Sequence, residues 1–440
     1  MHRIAATLTV ACLLGASPAF AQSRPSSLAT LFEEIYGPNG LVVSSDDVQL
    51  DGSTHAAHFN SAFQSDFRLV NVALASQLAS IPLPSPASGF TYRFDEATGT
   101  FVRSTQSFGP ILTERGETIG RGRIAFGYAY QFFSFDHLDG VPLANIPAVF
   151  RHDNFEIGGG RADVVSTENV VNATVSQFTG ALTYGVTDRL DIAIAVPAVR
   201  TSLSLISNAT IQRIGTGTNK TIHYFRDDAA IGGYGSSHQF FSEGSAAGIG
   251  DMVVRLKGTL MRESSRALAA GIDVRLPTGD ESNLLGAGAA GIRPFAAFSG
   301  SFGRFAPHAN VGYQWNGKSV LAGDISRDEE ADLPDAFIYA LGSDLSVTNR
   351  LSVVLDVIGQ RVIDSPRLFT RTTTVTGQFG SVALPDIFLE SSSYWTSSIA
   401  LGLKANVATD LLIDFNLRFA ASDGGLTDRV TPLVGLEWSF

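Results

Sequence analysis

The chain has 440 residues, 44% hydrophobic and only 17% charged, with a formal net charge of −11. About 25% charged residues is usual for a soluble globular chain, so an ordinary soluble enzyme fits poorly. A balance this acidic leaves no basic face for nucleic acid, and that class of partner is excluded.

The first residues, "MHRIAATLTVACLLGASPAFAQ", place Arg3 before an apolar run from Ile4 to Leu14. Ala19-Phe20-Ala21 then gives a small-x-small cleavage pattern. This reads as a secretory signal peptide over 1–21, cut after Ala21. The apolar run is too short for a membrane anchor. Cys12 lies inside that run and is the only cysteine. The exported chain is therefore expected to lack disulfides, thiolate metal ligands and cysteine nucleophiles. No later stretch reads as a membrane helix. The longest uncharged one, Leu69 to Tyr92, is interrupted by Pro82, Pro84 and Pro86.

Residues 22–115 carry sparse elements. "SLATLFEEIYG" predicts a short helix, with Ser27 as N-cap and Gly37 as stop. "FNSAFQSDFRLVNVALASQLASI" predicts a longer amphipathic helix ended by Pro82. "FTYRFDEATGTFVRS" predicts a hairpin around Glu96–Thr100. These elements have too little apolar face for a core of their own. They fit a plug inside a larger structure, with a periplasmic extension as the alternative.

From 116 to 440 the period changes. In "RIAFGYAYQFF" Ile124, Phe126, Tyr128, Tyr130 and Phe132 share one parity, opposite Arg123, Ala125, Gly127, Ala129 and Gln131. That is a strand with one apolar and one small or polar face. Twelve such segments are read, near 122–135, 165–185, 189–204, 250–261, 267–277, 290–301, 304–316, 335–346, 350–363, 394–406, 410–420 and 430–440. Ten and fourteen are the neighbouring counts, with the hairpin at 90–104 as a candidate extra pair. Short connections, "VTDR", "MRESSR", "FGR", "VTNR" and "VATD", alternate with long ones that include 205–249 and 364–393. Tight turns at one end and long loops at the other mark a transmembrane antiparallel β-barrel, all-β in class. Closure leaves no edge and pairs every backbone group, as hydrocarbon demands. The last segment, "TPLVGLEWSF", puts Val434, Leu436, Trp438 and Phe440 on one face. It is expected to pair with the first strand and close the ring.

Parity then assigns the lumen face. It should carry Asp191, Arg255, Lys257, Asp273, Arg275, His308, Asn310, Asp344, Asp356, Lys404, Asp414, Arg418 and Glu437, with Lys404, Asp414, Arg418 and Glu437 forming one mixed-charge group. Such residues form either cross-strand ion pairs that stiffen the wall or a polar constriction that selects solutes. "DEEAD" at 328–332 reads as a solvated loop without calcium-loop spacing. His137, His152, His223 and His238 fall in predicted loops. No Gly-x-Ser-x-Gly elbow and no metal-ligand helix motif is present. An enzyme, a cofactor and a metal site are therefore not expected.

Residues 90–140, "GIGDMVVRLKGTL" at 248–260 and "LPTGDESNLLGAGAAGIRPFAAFSGSFGRFAPHANVGYQW" at 276–315 resemble the outer-membrane barrel family described as "putative MetA-pathway of phenol degradation". The resemblance lies mainly on barrel strands. It implies a place beside channels that carry hydrophobic compounds through a barrel with an N-terminal hatch. This chain has hatch-like helices without an Asn-Pro-Phe signature. The resemblance also implies that the terminal aromatic strand is a signal to the barrel-assembly machinery. The function expected is passive passage of small hydrophobic or aromatic solutes across the outer membrane. The alternative is a closed-lumen surface barrel whose long loops do the work. The expected partners are outer-membrane lipid and lipopolysaccharide, the assembly machinery and the solute.

Overall fold

The computed structural model describes residues 26–37, 40–46, 59–60, 68–80, 92–95, 100–103, 108–152, 163–408 and 410–440. The signal peptide, the proline-rich stretch after Ser80 and "DNFEIGGGR" at 153–161 lie outside them.

Twelve antiparallel strands close into one ring. In chain order they are β1 (Ile124–Phe135), β2 (Val164–Thr187), β3 (Leu190–Gln212), β4 (Met252–Arg262), β5 (Arg266–Leu276), β6 (Gly291–Gly300), β7 (Phe305–Asn316), β8 (Ala336–Thr348), β9 (Leu351–Gly377), β10 (Gly380–Ala408), β11 (Leu411–Ala420) and β12 (Val430–Ser439). Each of the twelve predicted segments corresponds to one of them. β12 pairs with β1 from Leu433↔Gln131 to Ser439↔Ala125. The terminal residue completes the seam: the Phe440 N–H donates to the Ile124 carbonyl, and the Ile124 N–H to the Phe440 carbonyl, both at 2.9 Å. The ring of Phe440 lies beside Phe126 and Trp438.

The short turns gather at one end, which in outer-membrane barrels faces the periplasm. Above them the outer surface is apolar. Ile192, Ile194, Leu256, Ile272, Leu355, Leu401, Phe415 and Val434 all point outward and exposed. Such a belt suits hydrocarbon, where a charge near the midplane costs about 2–4 kcal/mol. The inner parity carries the small and charged residues.

The long connections differ from the loops expected. At 205–249, β3 continues to Gln212 and the strand Ser237–Ile249 pairs along it from Ser237↔Thr210 to Ile249↔Ala198. At 364–393, β9 and β10 continue as one hairpin to Gly377↔Gly380, with a register shift between Val362 and Ser365. The physical reason is a reversal of chemistry along each strand. Low on β2, Phe178, Leu182 and Tyr184 point outward. Higher up, the outward positions are Glu168, Asn172 and Thr174, while Val165, Val171 and Val175 turn inward and are buried. β3 makes the same switch at Arg200, with Leu203 and Leu205 buried inside. Above the apolar belt the wall has the pattern of a soluble sheet, polar outside and apolar within.

That dry interior is filled by the N-terminal segment. Helix α1 (Leu31–Glu34) and helix α2 (Arg68–Ser80) bury Leu31, Phe32, Leu69 and Leu74 against Phe133, Phe150, Leu205, Leu284, Leu321 and Leu426. α1 is a single turn. Thr30 occupies its N-cap without a side-chain cap bond, so Ser27 is not the cap. Gly37 at φ +86° stops it as expected. Of the run predicted as helix, Phe59–Asn60 instead pairs as strand with His152 and Arg151, 61–67 lie outside the described residues, and Arg68–Ser80 is helical. The hairpin Tyr92–Asp95/Thr100–Arg103 forms as read and, among the described residues, pairs with no barrel strand.

In the outer cap, Asp163 accepts from Gly215 N, Thr216 N and Thr216 Oγ1 at 2.8, 2.9 and 2.6 Å and meets His223 Nδ1 at 2.9 Å. Burial pushes this carboxyl up, but the hydrogen bonds outweigh it and hold it below the usual range. His238, expected in a loop, lies in the strand Ser237–Ile249.

Candidate lumen site

All thirteen charged and polar residues assigned by parity face inward. Lys257, Lys404, Asp344, Asp356 and Asp191 are almost wholly buried, while Arg255, Asn310 and Arg418 are partly buried. Trp438 and Phe440 face outward, 50% and 43% exposed.

What occupies the lower lumen is a strap, residues 108–121, leading into β1. Glu114 is its main anchor. Its carboxylate pairs with Arg255 and lies 2.7 Å from Lys257 Nζ. Its backbone N–H donates to Asn310 Oδ1 at 2.7 Å, and its carbonyl accepts from Asn310 Nδ2 at 2.8 Å. Lys257 also donates to the Glu117 carbonyl at 2.8 Å. Thr259 Oγ1 donates to the Gly116 carbonyl at 2.8 Å, and Gly116 N–H to Ser299 Oγ at 3.1 Å. Ile119 N–H donates to Asp191 Oδ2 at 3.0 Å. Lys404 Nζ reaches the Pro110 carbonyl at 3.4 Å. The backbone of an irregular segment must find partners when buried. Here the inward side chains of β3, β4, β6, β7 and β10 supply them.

Gly116 and Gly185 make the close approach possible. A Cβ at Gly116 would strike the Ala267 carbonyl, and one at Gly185 the Gly120 carbonyl.

Behind the strap the charges form chains. Arg255 grips Asp273 bidentately at 2.7 and 2.9 Å, and Asp273 also pairs with Arg293. Arg275 donates to Asn316 Oδ1 at 2.9 Å and to the Ala79 carbonyl at 3.0 Å, tying the end of α2 to the wall. His308 Nε2 pairs with Asp356 across β8, where Gly342 leaves the room both side chains need. Lys404 lies 3.3 Å from Glu437 and opposite Asp414.

Arg418 does not join the Lys404 group, contrary to expectation. It stands opposite Ala400, while Lys404 stands opposite Asp414. Parity gives a residue's face but not its height, and the two lie on different rungs.

Between the strap below and the end of α2 above lies a cavity of about 170 Å³. Leu112, Thr113 and Glu114 form its floor, and Gln77 and Ser80 its roof. Phe135, Phe295, Ile338 and Ile358 give it apolar wall, and Arg255, Arg293, Arg418 and Gln360 polar wall. Asp428 lies at its rim. Burial pushes the Asp428 carboxyl up, against hydrogen bonds from Ser134 N, Thr431 Oγ1 and Val430 N. The sequence reading missed the strap contacts. Their signal is "GPILTERGETIG", a run with Glu114 and Glu117 among glycines just before the first strand.

A closed ring with an apolar belt and a charged, internally strapped lumen defines a transmembrane β-barrel of the outer-membrane type. Residues 157–365 match the family model described as "Putative MetA-pathway of phenol degradation", the family that the sequence resembles. A search of curated proteins finds no match. Among solved structures, the chain is similar to the COG4313 outer membrane channel from Pseudomonas putida F1, at 12% identity and a TM-score of 0.43, covering 75% of this chain and 100% of that one. It is also similar to the CymD monoaromatic hydrocarbon channel, at 12% identity, a TM-score of 0.34 and coverage of 73% and 89%. A third is the Ralstonia pickettii toluene transporter TbuX, at 17% identity, a TM-score of 0.30 and coverage of 82% and 99%.

Proposed function

We propose that this barrel passes small apolar or aromatic molecules passively across the outer membrane, with the strap at 108–121 as the gate. The observation that carries the reading is the cavity between α2 and the strap, which has an apolar wall and space for a small molecule. Ligand sites are concave and mostly apolar, with a few placed polar groups, and this one fits. The family resemblance agrees with it. Export by a signal peptide cut after Ala21, contact with lipid and lipopolysaccharide, and assembly through the strand ending at Phe440 belong to the same proposal. The lumen charges then act twice: they hold the strap, and they narrow what can pass beside it.

The test is solute entry into liposomes carrying the purified protein. Toluene-like and phenolic probes should enter much faster than a sugar of similar size. Equal entry would indicate a general pore, and no entry of any probe would sink the transport reading.

A second reading, a closed surface barrel working through its outer cap, is favoured by one feature. The cap is tied to the N-terminal segment: Tyr36 bonds Ser207 at 2.7 Å, and Ser44 pairs with Tyr224. Trimming 205–249 would separate the two readings, because only the surface role needs that extension for itself.

A further inference from the structure

Arg418 is set apart from every other cation around the cavity. Arg255 and Arg293 share Asp273, and Arg255 also holds Glu114. Arg418 makes one hydrogen bond among the described residues, Nη2 to Thr431 Oγ1 at 3.2 Å, and no carboxylate there closes an ion pair with it. The nearest acid by way of that hydroxyl, Asp428, accepts from Thr431 at 3.0 Å and from backbone N–H groups instead. The guanidinium stacks on Phe133, 5.2 Å from the ring centroid.

Its neighbours are small. Ala400 lies opposite it, and Ser398 and Ala420 form the next rung, with Ile358 beyond. Space therefore opens in front of the fork. Charges taken out of water are paired in folded proteins, and an ionisable group inside a membrane barrel marks a functional site with a partner to be named.

We propose that the cavity binds a monocarboxylate with a small apolar body, its carboxylate on Arg418 and its ring or short chain against Phe135, Ile338 and Ile358. Three features select this class. A planar guanidinium matches a carboxylate bidentately. One cation balances one negative charge, while a dianion such as phosphate would leave an excess beside Asp428. The apolar wall offers nothing to a sugar acid's hydroxyls and much to a ring. The solutes thus include acidic aromatics or short acids beside the neutral ones.

This deepens the channel reading and rests on it for biological meaning, but binding can be measured alone. Benzoate and benzyl alcohol, matched in size and differing in charge, are titrated calorimetrically into the full-length protein in detergent. Wild type should bind benzoate about tenfold more tightly or better, a difference of about 1.4 kcal/mol. Arg418→Gln should erase that preference and leave benzyl alcohol within about twofold. Arg418→Lys should keep part of it. Gel mobility before and after heating reports whether each variant is folded. If Arg418→Gln does not fold, Arg418→Lys decides, since loss of bidentate geometry must weaken benzoate and spare the alcohol. Equal binding of the two ligands by wild type, no binding of either, or an unchanged benzoate affinity in a folded variant would overturn the proposal. Entry of neutral aromatics into liposomes, unchanged by Arg418→Gln, would leave the channel reading standing in each of those cases.

Discussion

Around the strap, Glu114, Arg255, Lys257 and Asp273 each hold an ionic partner within hydrogen-bond reach, whereas a few rungs higher Arg418 faces open space with a threonine hydroxyl for company. Both regions sit on the same inner parity of the same barrel. In the lower one, side chains from β3 to β10 converge on an irregular backbone and saturate it. In the upper one, Ala400, Ser398 and Ala420 withdraw the wall and leave volume. A buried charge is tolerated in the first because the structure supplies its partner, and in the second only if water or a ligand does. The lower lumen fixes the strap through paired charges, while the upper leaves Arg418 beside open volume.

The largest effect should come from breaking the lower region. Lys257→Met removes the ammonium that joins the Glu114 carboxylate to the Glu117 carbonyl. Breaking a buried pair costs about 3–5 kcal/mol, and the loss should fall on the strap and not on the barrel. Hydrogen exchange of 108–121 should rise by orders of magnitude while the belt strands stay protected. Uniform loss of protection would mean that the strap is part of the barrel's global stability.

A middle-sized effect tests the boundary. Gly342→Ala pushes a methyl group between His308 and Asp356, with an expected cost of about 1–3 kcal/mol from overpacking. The midpoint of urea unfolding in detergent measures it, and an unchanged midpoint would show that the pair can part freely. The smallest stability effect belongs to the cavity. Ile338→Phe grows into open volume and should shift stability by no more than about 0.5 kcal/mol, yet slow entry of aromatic probes several-fold. A substitution that is neutral below but costly here would reverse the comparison.

Much of this was legible in the sequence. Strand number, the short-turn end and the seam at Phe440 follow from a period of two and from alternating connection lengths. Inner and outer faces follow from parity alone: ten of the thirteen residues assigned to the lumen are buried and Arg255, Asn310 and Arg418 are partly buried. The outer extensions were not seen, because a rule that looks for apolar residues on the lipid face fails where the two faces exchange chemistry. Ser202 and Ser204 against Leu203 and Leu205 do alternate, with the opposite sign. Heights were not legible either. Arg418 was grouped with Lys404 because they share a face, and only the register with β10 separates them. The strap was missed for a related reason: its carbonyls and N–H groups do most of the binding, and backbone groups leave no mark on composition.

The most direct test of the account compares solute flux through wild type and Lys257→Met in the same liposomes. If the strap is the gate, the variant should admit both the aromatic probe and the sugar faster, and the difference between them should shrink. Unchanged flux for both, with the strap shown by hydrogen exchange to be released, would contradict the claim that residues 108–121 control passage.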